Sequence, residues 1–154
     1  MTALVVYDSL YGNTETIAEA IASAVLDAEV HRLFEVDPAA LPAADLLVVG
    51  SPTQGGQPTA ATRDWLARLP AGSLTRTRVG AFDTRLAKSD HGFLLGALMN
   101  VIGFAAPRIL KQLESRGGRP AAAAEGFVVA GREGPLQAGE LQRAGGWASG
   151  LVQS

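Results

Sequence analysis

The residues able to do chemistry in this 154-residue chain sit in short polar stretches that follow apolar ones. Val5 to Ile21 reads V-V-Y-D-S-L-Y-G-N-T-E-T-I-A-E-A-I: an apolar run, a polar turn over Asp8–Asn13, then an amphipathic helix. The turn region offers hydroxyls at Ser9 and Thr14, an amide at Asn13 and a backbone-permissive Gly12. Amides at a helix N-terminus have no partner within the helix and face outward beside the positive end of its dipole, which suits a phosphate. The turn holds no Lys or Arg, so neutral donors and the dipole are expected to carry such an anion alone. A hydroxyl-rich turn before a helix equally suits ordinary capping. Two further polar loops, Ser51–Thr59 (S-P-T-Q-G-G-Q-P-T) and Thr84–His91, complete the set.

Two nucleotide motifs are missing. No G-x-G-x-x-G follows the first apolar run, and no G-x-x-x-x-G-K-[ST] occurs anywhere, which excludes a dinucleotide fingerprint and a nucleoside triphosphatase loop. The chain has no cysteine, so disulfides, thiol redox chemistry and Cys-held metal clusters are excluded. Its two histidines, His31 and His91, lack ligand spacing, so no intrinsic metal is expected. Thirteen basic and fifteen acidic residues leave a net charge of −2, with no basic stripe for nucleic acid. No apolar run reaches membrane-spanning length. Met1 and Thr2 lead straight into strand-like sequence with no basic n-region or h-region, from which a cytoplasmic protein is expected.

The elements that must position these loops follow from periodicity. Ala3–Tyr7 and Asp45–Gly50 are unbroken apolar runs, the pattern of strands covered on both faces. Between them, Ile17, Ile21 and Val25 form one stripe of a helix, and Glu29–Val36 reads as an outer strand before Pro38 and Pro42. Thr59 is placed to cap a helix with Thr62, Trp65, Leu66 and Leu69 on one face. Arg78–Asp83 reads as a fourth strand. Gly92–Ala105 is an apolar stretch broken by Asn100, and Pro107 suits the first turn of a helix through Ile109, Leu110 and Leu113. Ala121–Ala130, broken at Glu125-Gly126, reads as the last strand, with Pro135 starting a final helix to about Val152. Alternating strands and helices predict an α/β domain over residues 1–154 with a doubly wound parallel sheet, whose ligands sit beyond the carboxyl ends of the strands.

The first stretch resembles the flavodoxins. Their phosphate signature is met by Val5, Val6, Tyr7, Ser9, Gly12, Thr14, Ala18 and Ile21, and the G-S-P-T landmark stands at Gly50–Thr53. Phe82-Asp83-Thr84-Arg85 matches the family's strand running into a flavin-edge loop. The resemblance implies a flavodoxin-like five-stranded sheet in the order 2-1-3-4-5 with helices on both faces, and FMN as cofactor. Carried over, Ser9, Gly12, Asn13 and Thr14 would donate to the phosphate, with amides of Leu10 and Tyr11. Pro52, Thr53, Gln54, Gly55 and Gly56, together with Asp83, Thr84 and Arg85, would flank the isoalloxazine ring. Gly55 or Gly56 would supply the peptide that reorients to accept a hydrogen bond from reduced flavin N5.

On that basis the expected function is electron transfer by bound FMN to a redox partner protein or a small-molecule acceptor, with no side chain acting as nucleophile or base. An FMN-dependent NAD(P)H:quinone or other small-molecule reductase is the alternative, and a flavin-free interaction domain the third. The chain departs from the family at three points. Neither Ser51–Thr59 nor Thr84–Asp90 contains an aromatic to sandwich the ring, the net charge is small, and Phe93–Phe104 is an apolar insertion. That insertion is suited to line a substrate pocket, cover the flavin, form a homodimer interface or meet a membrane surface. Tyr11 and Phe93 are the aromatics placed to approach the ring, His91 is read as a loop residue, and Trp65 and Trp147 are read as packing groups. Asp83 and Arg85 serve equally as a solvated pair.

Overall fold

The computed structural model describes residues 2–87 and 103–153. The expectations placed on His91, Phe93 and most of the Phe93–Phe104 run therefore lie outside the described residues.

The apolar runs become a parallel sheet. Strand β1 (Ala3–Tyr7) is buried along its whole length, flanked by β2 (Ala28–Arg32) and β3 (Leu46–Pro52), with Val5 level with Val30 on one side and Val48 on the other. β3 pairs in parallel with β4 (Arg78–Leu86). Two short segments, β5 (Arg119–Pro120) and β6 (Glu125–Val129), then share the far edge of β4. The order is 2-1-3-4-5, as expected, with the fifth position divided between β5 and β6.

Among the described residues four α-helices cover the two faces: α1 (Asn13–Ser23), α2 (Ala60–Ala67), α3 (Ala105–Ser115) and α4 (Glu140–Gln153). Because strand side chains alternate, each strand feeds two cores. Ala3, Val5 and Tyr7 join Val48, Phe82 and Phe127 under Ile17 and Ile21 of α1 and Ala144, Ala148 and Leu151 of α4. Leu4, Val6, Leu47 and Val49 face Trp65 and Leu66 of α2 and Ile109 and Leu113 of α3. Trp147 stacks edge-on against Phe82 and Phe127, and Trp65 donates its indole N–H to the Val36 carbonyl at 2.9 Å, so both tryptophans are packing groups.

Several boundaries differ from the expected ones, among them β3, which runs on to Pro52 by pairing Ser51 with Asp83 and Pro52 with Thr84. β2 stops at Arg32, after which Leu33–Glu35 makes a 3-10 turn closed by the Arg32 amide donating to the Glu35 carboxylate. β4 runs on through Leu86, because Thr84, Arg85 and Leu86 pair with Phe127, Val128 and Val129; Thr84 and Arg85 are strand residues rather than loop residues. The last strand is interrupted at residues 121–124, and Glu125-Gly126 belongs to β6. Pro135 does not start a helix. Residues 130–137 instead fold back on β6, with the Ala130 amide donating to the Pro135 carbonyl and the Gln137 amide to the Val128 carbonyl, and α4 begins at Glu140.

Among the described residues no helix is long and apolar enough to cross a membrane.

Candidate functional site

Three polar segments leave the carboxyl ends of β1, β3 and β4 side by side, and together they line a cavity of about 380 Å³. Its wall is made by Leu10, Tyr11, Asn13, Thr14, Pro52, Thr53, Gln54, Gly55, Thr84 and Arg85, with Leu86, Val129 and Arg132 added. Ten of the fourteen residues expected at a cofactor thus face one space of a size that holds a small ligand. Ser9, Gly12, Gly56 and Asp83 are not part of the wall.

Ser9 and Gly12 shape the first segment from behind. The Ser9 hydroxyl accepts hydrogen bonds from the Gly12 amide at 3.1 Å and the Glu15 amide at 3.4 Å, which curls the chain into the start of α1. Gly12 is the residue before the helix, held at φ 91 with no side-chain cap. The ordinary capping role is therefore not filled by the residue at the cap position. The amides of Leu10, Tyr11, Asn13 and Thr14 donate to no acceptor among the described residues. Asp8 sits below the turn, taking the Ser9 amide at 3.0 Å and the Thr59 hydroxyl at 2.5 Å, so its carboxylate is spent on tying the first segment to the second.

Under the turn, the phenol of buried Tyr7 donates to Glu15 Oε2 at 2.8 Å. Burial, and then this hydrogen bond, push its pKa up to about 12. Arg32 stacks on the Tyr7 ring at 5.4 Å and reaches Glu15 at 3.4 Å, which keeps that acid on the outer flank of α1.

The second segment turns back sharply. Gln54 and Gln57 exchange two backbone hydrogen bonds of 2.8 and 2.9 Å, and the residues between them, Gly55 and Gly56, have φ of 55° and 79°. Two consecutive positive φ values make a tight turn that side-chain-bearing residues rarely adopt. Thr59 caps α2, accepting from the Thr62 amide at 3.2 Å, as its position in the sequence suggests.

The third segment is the most elaborate. The buried Thr14 and Thr84 hydroxyls share a hydrogen bond of 2.9 Å, joining the start of α1 to β4. Asp83 is fully buried beneath the cavity. Its carboxylate takes two hydrogen bonds from Arg85, Nε to Oδ1 at 2.7 Å and an Nη to Oδ2 at 2.6 Å, and a third from the Ala106 amide at 2.8 Å. The neighbouring Ala105 amide donates to Thr53 Oγ1 at 3.0 Å. Asp83 and Thr53 thus serve the first turn of α3 in place of a local cap, and the alternative of a solvated Asp83–Arg85 pair is excluded by this burial. The Arg85 guanidinium lies 3.7 Å over the Phe104 ring. It passes so close to Gly126 that a Cβ there would stand 2.0 Å from its Nε.

Residues at the far end of the chain close the wall. Gly131-Arg132-Glu133-Gly134 is a tight turn, with the Gly134 amide donating to the Gly131 carbonyl at 3.0 Å. The Asn13 side-chain amide donates to the Glu133 carbonyl at 3.1 Å, and a Cβ on Gly134 would stand 2.6 Å from Asn13 Oδ1. This contact brings Arg132 to the cavity. Leu86, Val129 and Arg132 were absent from the expected set; Val129 had a local signal, near the end of the expected last strand, whereas Leu86 fell in an expected loop and Arg132 beyond any expected strand.

Among the described residues the lining carries two guanidinium groups and no carboxylate, and an amide-rich helix start opens into it. Such a set fits a flavin phosphate bearing negative charge, with the apolar Leu10, Pro52, Leu86 and Val129 and the Tyr11 ring for the flat remainder. Among the described residues no cluster of acids and histidines suits a metal ion.

Residues 5–85, just over half of the chain, match the family model described as Flavodoxin. No curated protein matches by sequence. Several solved flavodoxins share the fold. One from the domain Archaea is 20% identical with a TM-score of 0.74, covering 99% of this chain and 97% of its own. Flavodoxin 1 of Bacillus cereus is 15% identical with a TM-score of 0.75, covering 99% and 98%. The flavodoxin of Streptococcus pneumoniae TIGR4 is 18% identical with a TM-score of 0.74, covering 99% of each chain. With its phosphate-signature residues inside the matched span and its strand order that of the fold, the chain belongs to the flavodoxin family.

Proposed function

We propose that the protein binds FMN in this cavity and works as an electron-transfer flavodoxin. The observation that carries the reading is the set of four unclaimed amides, Leu10, Tyr11, Asn13 and Thr14, at the start of α1. In this reading those amides and the Asn13 side chain bind the phosphate, while the Thr14–Thr84 hydrogen bond fixes the turn against β4. Bound FMN supplies the electron chemistry. Pro52 to Gly55 and Thr84 to Leu86 hold its ring on two sides and keep water from its edges. A Cβ on Gly55 would meet nothing within 4 Å, and a peptide between two glycines carries no side chain that must move if it turns over, which suits a carbonyl that accepts a hydrogen bond from a protonated ring nitrogen.

A spectrum tests the reading directly. Protein refolded with excess FMN and then desalted is expected to retain a yellow chromophore with quenched flavin fluorescence; a colourless protein would refute it. The physiological setting proposed is the cytoplasm, with a redox partner protein or a small-molecule acceptor receiving the electrons.

One observation favours the reductase as a second reading. Tyr11 is the sole aromatic in the described lining, so the ring would have an open face for a substrate. Rapid mixing of the FMN-loaded protein with NADH or NADPH separates the two, since direct flavin reduction within seconds belongs to an enzyme and not to a carrier.

A further inference from the structure

We propose that Arg132 supplies the positive charge that the phosphate turn lacks, and that it makes the site select a phosphorylated flavin over riboflavin. This rests on the FMN reading above and deepens it. The described wall holds two arginines, and they differ in what surrounds them. Arg85 is paired twice over with buried Asp83 and stacked on Phe104, so its charge is compensated and its direction fixed. Arg132 has no salt bridge or hydrogen-bonded partner among the described residues. No carboxylate stands among the described lining residues, so the described wall carries the uncompensated charge of one guanidinium.

The placement of that charge is built into the fold. Arg132 stands at the second position of the Gly131–Gly134 turn, whose base is tied by the Ala130–Pro135 and Gln137–Val128 backbone hydrogen bonds. The tip is tied to the phosphate turn itself, through the Asn13 side chain and the Glu133 carbonyl. The absence of a Cβ at Gly134 lets the two turns touch. A guanidinium one residue from that tie lies within reach of an anion held by the Asn13 and Thr14 amides, and its planar fork matches a phosphate edge. Glu133, next along the turn, uses its backbone in the tie and keeps its carboxylate outside the lining.

Fluorescence-quench titrations of the apoprotein with FMN and with riboflavin, at about 50 mM and about 500 mM salt, test the inference. Arg132→Gln is expected to weaken FMN binding roughly tenfold while riboflavin binding changes less than about twofold. Arg132→Lys should keep most of the FMN preference, and Glu133→Gln should keep all of it. In the wild type, FMN affinity should fall with salt and riboflavin affinity should not, and this difference should shrink in Arg132→Gln. The salt series stands by itself if the glutamine variant melts early as apoprotein. Equal losses for the two flavins, or an unchanged FMN-to-riboflavin ratio in a wild type that binds FMN, overturns the role of Arg132 alone. A wild type that binds neither flavin overturns the FMN reading and this inference together.

Discussion

Two helices start at the same end of the sheet, past the ends of β1 and β4, and they treat their N-termini in opposite ways. At α3 the chain supplies its own anion: Asp83 takes the Ala106 amide and Thr53 takes the Ala105 amide, both from distant segments. At α1 the residue before the helix is a glycine with no side chain, and the amides of Asn13 and Thr14 donate to nothing among the described residues. Each helix end carries about half a positive charge, so the difference lies in who answers it. The α3 end is answered within the protein, whereas the α1 end opens into the cavity. A carboxylate like Asp83 under α1 would stabilise the fold and repel a phosphate.

The sharpest way to break this contrast is to remove the internal anion. Asp83→Ala is expected to lower unfolding free energy in urea by about 3 kcal/mol, since it strands Arg85 and the α3 amides, with Arg85 regaining some water. A loss below about 1 kcal/mol would mean that Asp83 does not serve α3. Supplying the external anion gives the next effect. FMN at a hundredfold excess over its dissociation constant should add about 2.7 kcal/mol in the wild type, and Thr14→Val, which loses the Thr84 partner at the α1 start, should show a smaller gain. Gly126→Ala asks whether Arg85 must lie where it does. Its Cβ would meet the guanidinium at 2.0 Å, and a cost of about 1–3 kcal/mol with α3 loosened in hydrogen exchange is expected.

A further effect is read only in alkali. Tyr7 titrates near 12 when folded against about 10 unfolded. The neutral phenol is favoured by folding, so its contribution is whole below pH 10 and is lost as pH rises from 10 to 12. Stability should fall across that window in the wild type and fall less in Tyr7→Phe. Equal slopes would remove the Glu15 hydrogen bond from the account of how the α1 end is held.

What could be read in the sequence is what depends on near neighbours. Ala3–Tyr7 is a strand with the expected limits because five consecutive apolar residues leave no other pattern. Thr59 caps α2 because capping joins residues three apart. The Asp8–Asn13 turn is likewise set by near neighbours, and ten expected residues reach one cavity because the parallel sheet brings the ends of β1, β3 and β4 together. The misses are long-range. Asp83 serves an amide 23 residues away, and no spacing rule marks a carboxylate in a strand as the cap of the next helix. Pro135 satisfied the local rule for a helix start, but the hydrogen bonds of its segment to β6 prevailed. Arg132 carries no motif at all; it reaches the cavity through the Asn13–Glu133 tie.

That tie also sets a schedule for biosynthesis. Asn13 and Glu133 are 120 residues apart, and at a translation rate of about 5–20 residues per second the turn leaves the peptidyl-transferase centre roughly 6–24 s before its partner does. For that interval a nascent chain can form β1 and the start of α1 but has no fourth wall and no Arg132. The part of the cavity wall that Arg132 supplies thus leaves the ribosome well after the turn it adjoins.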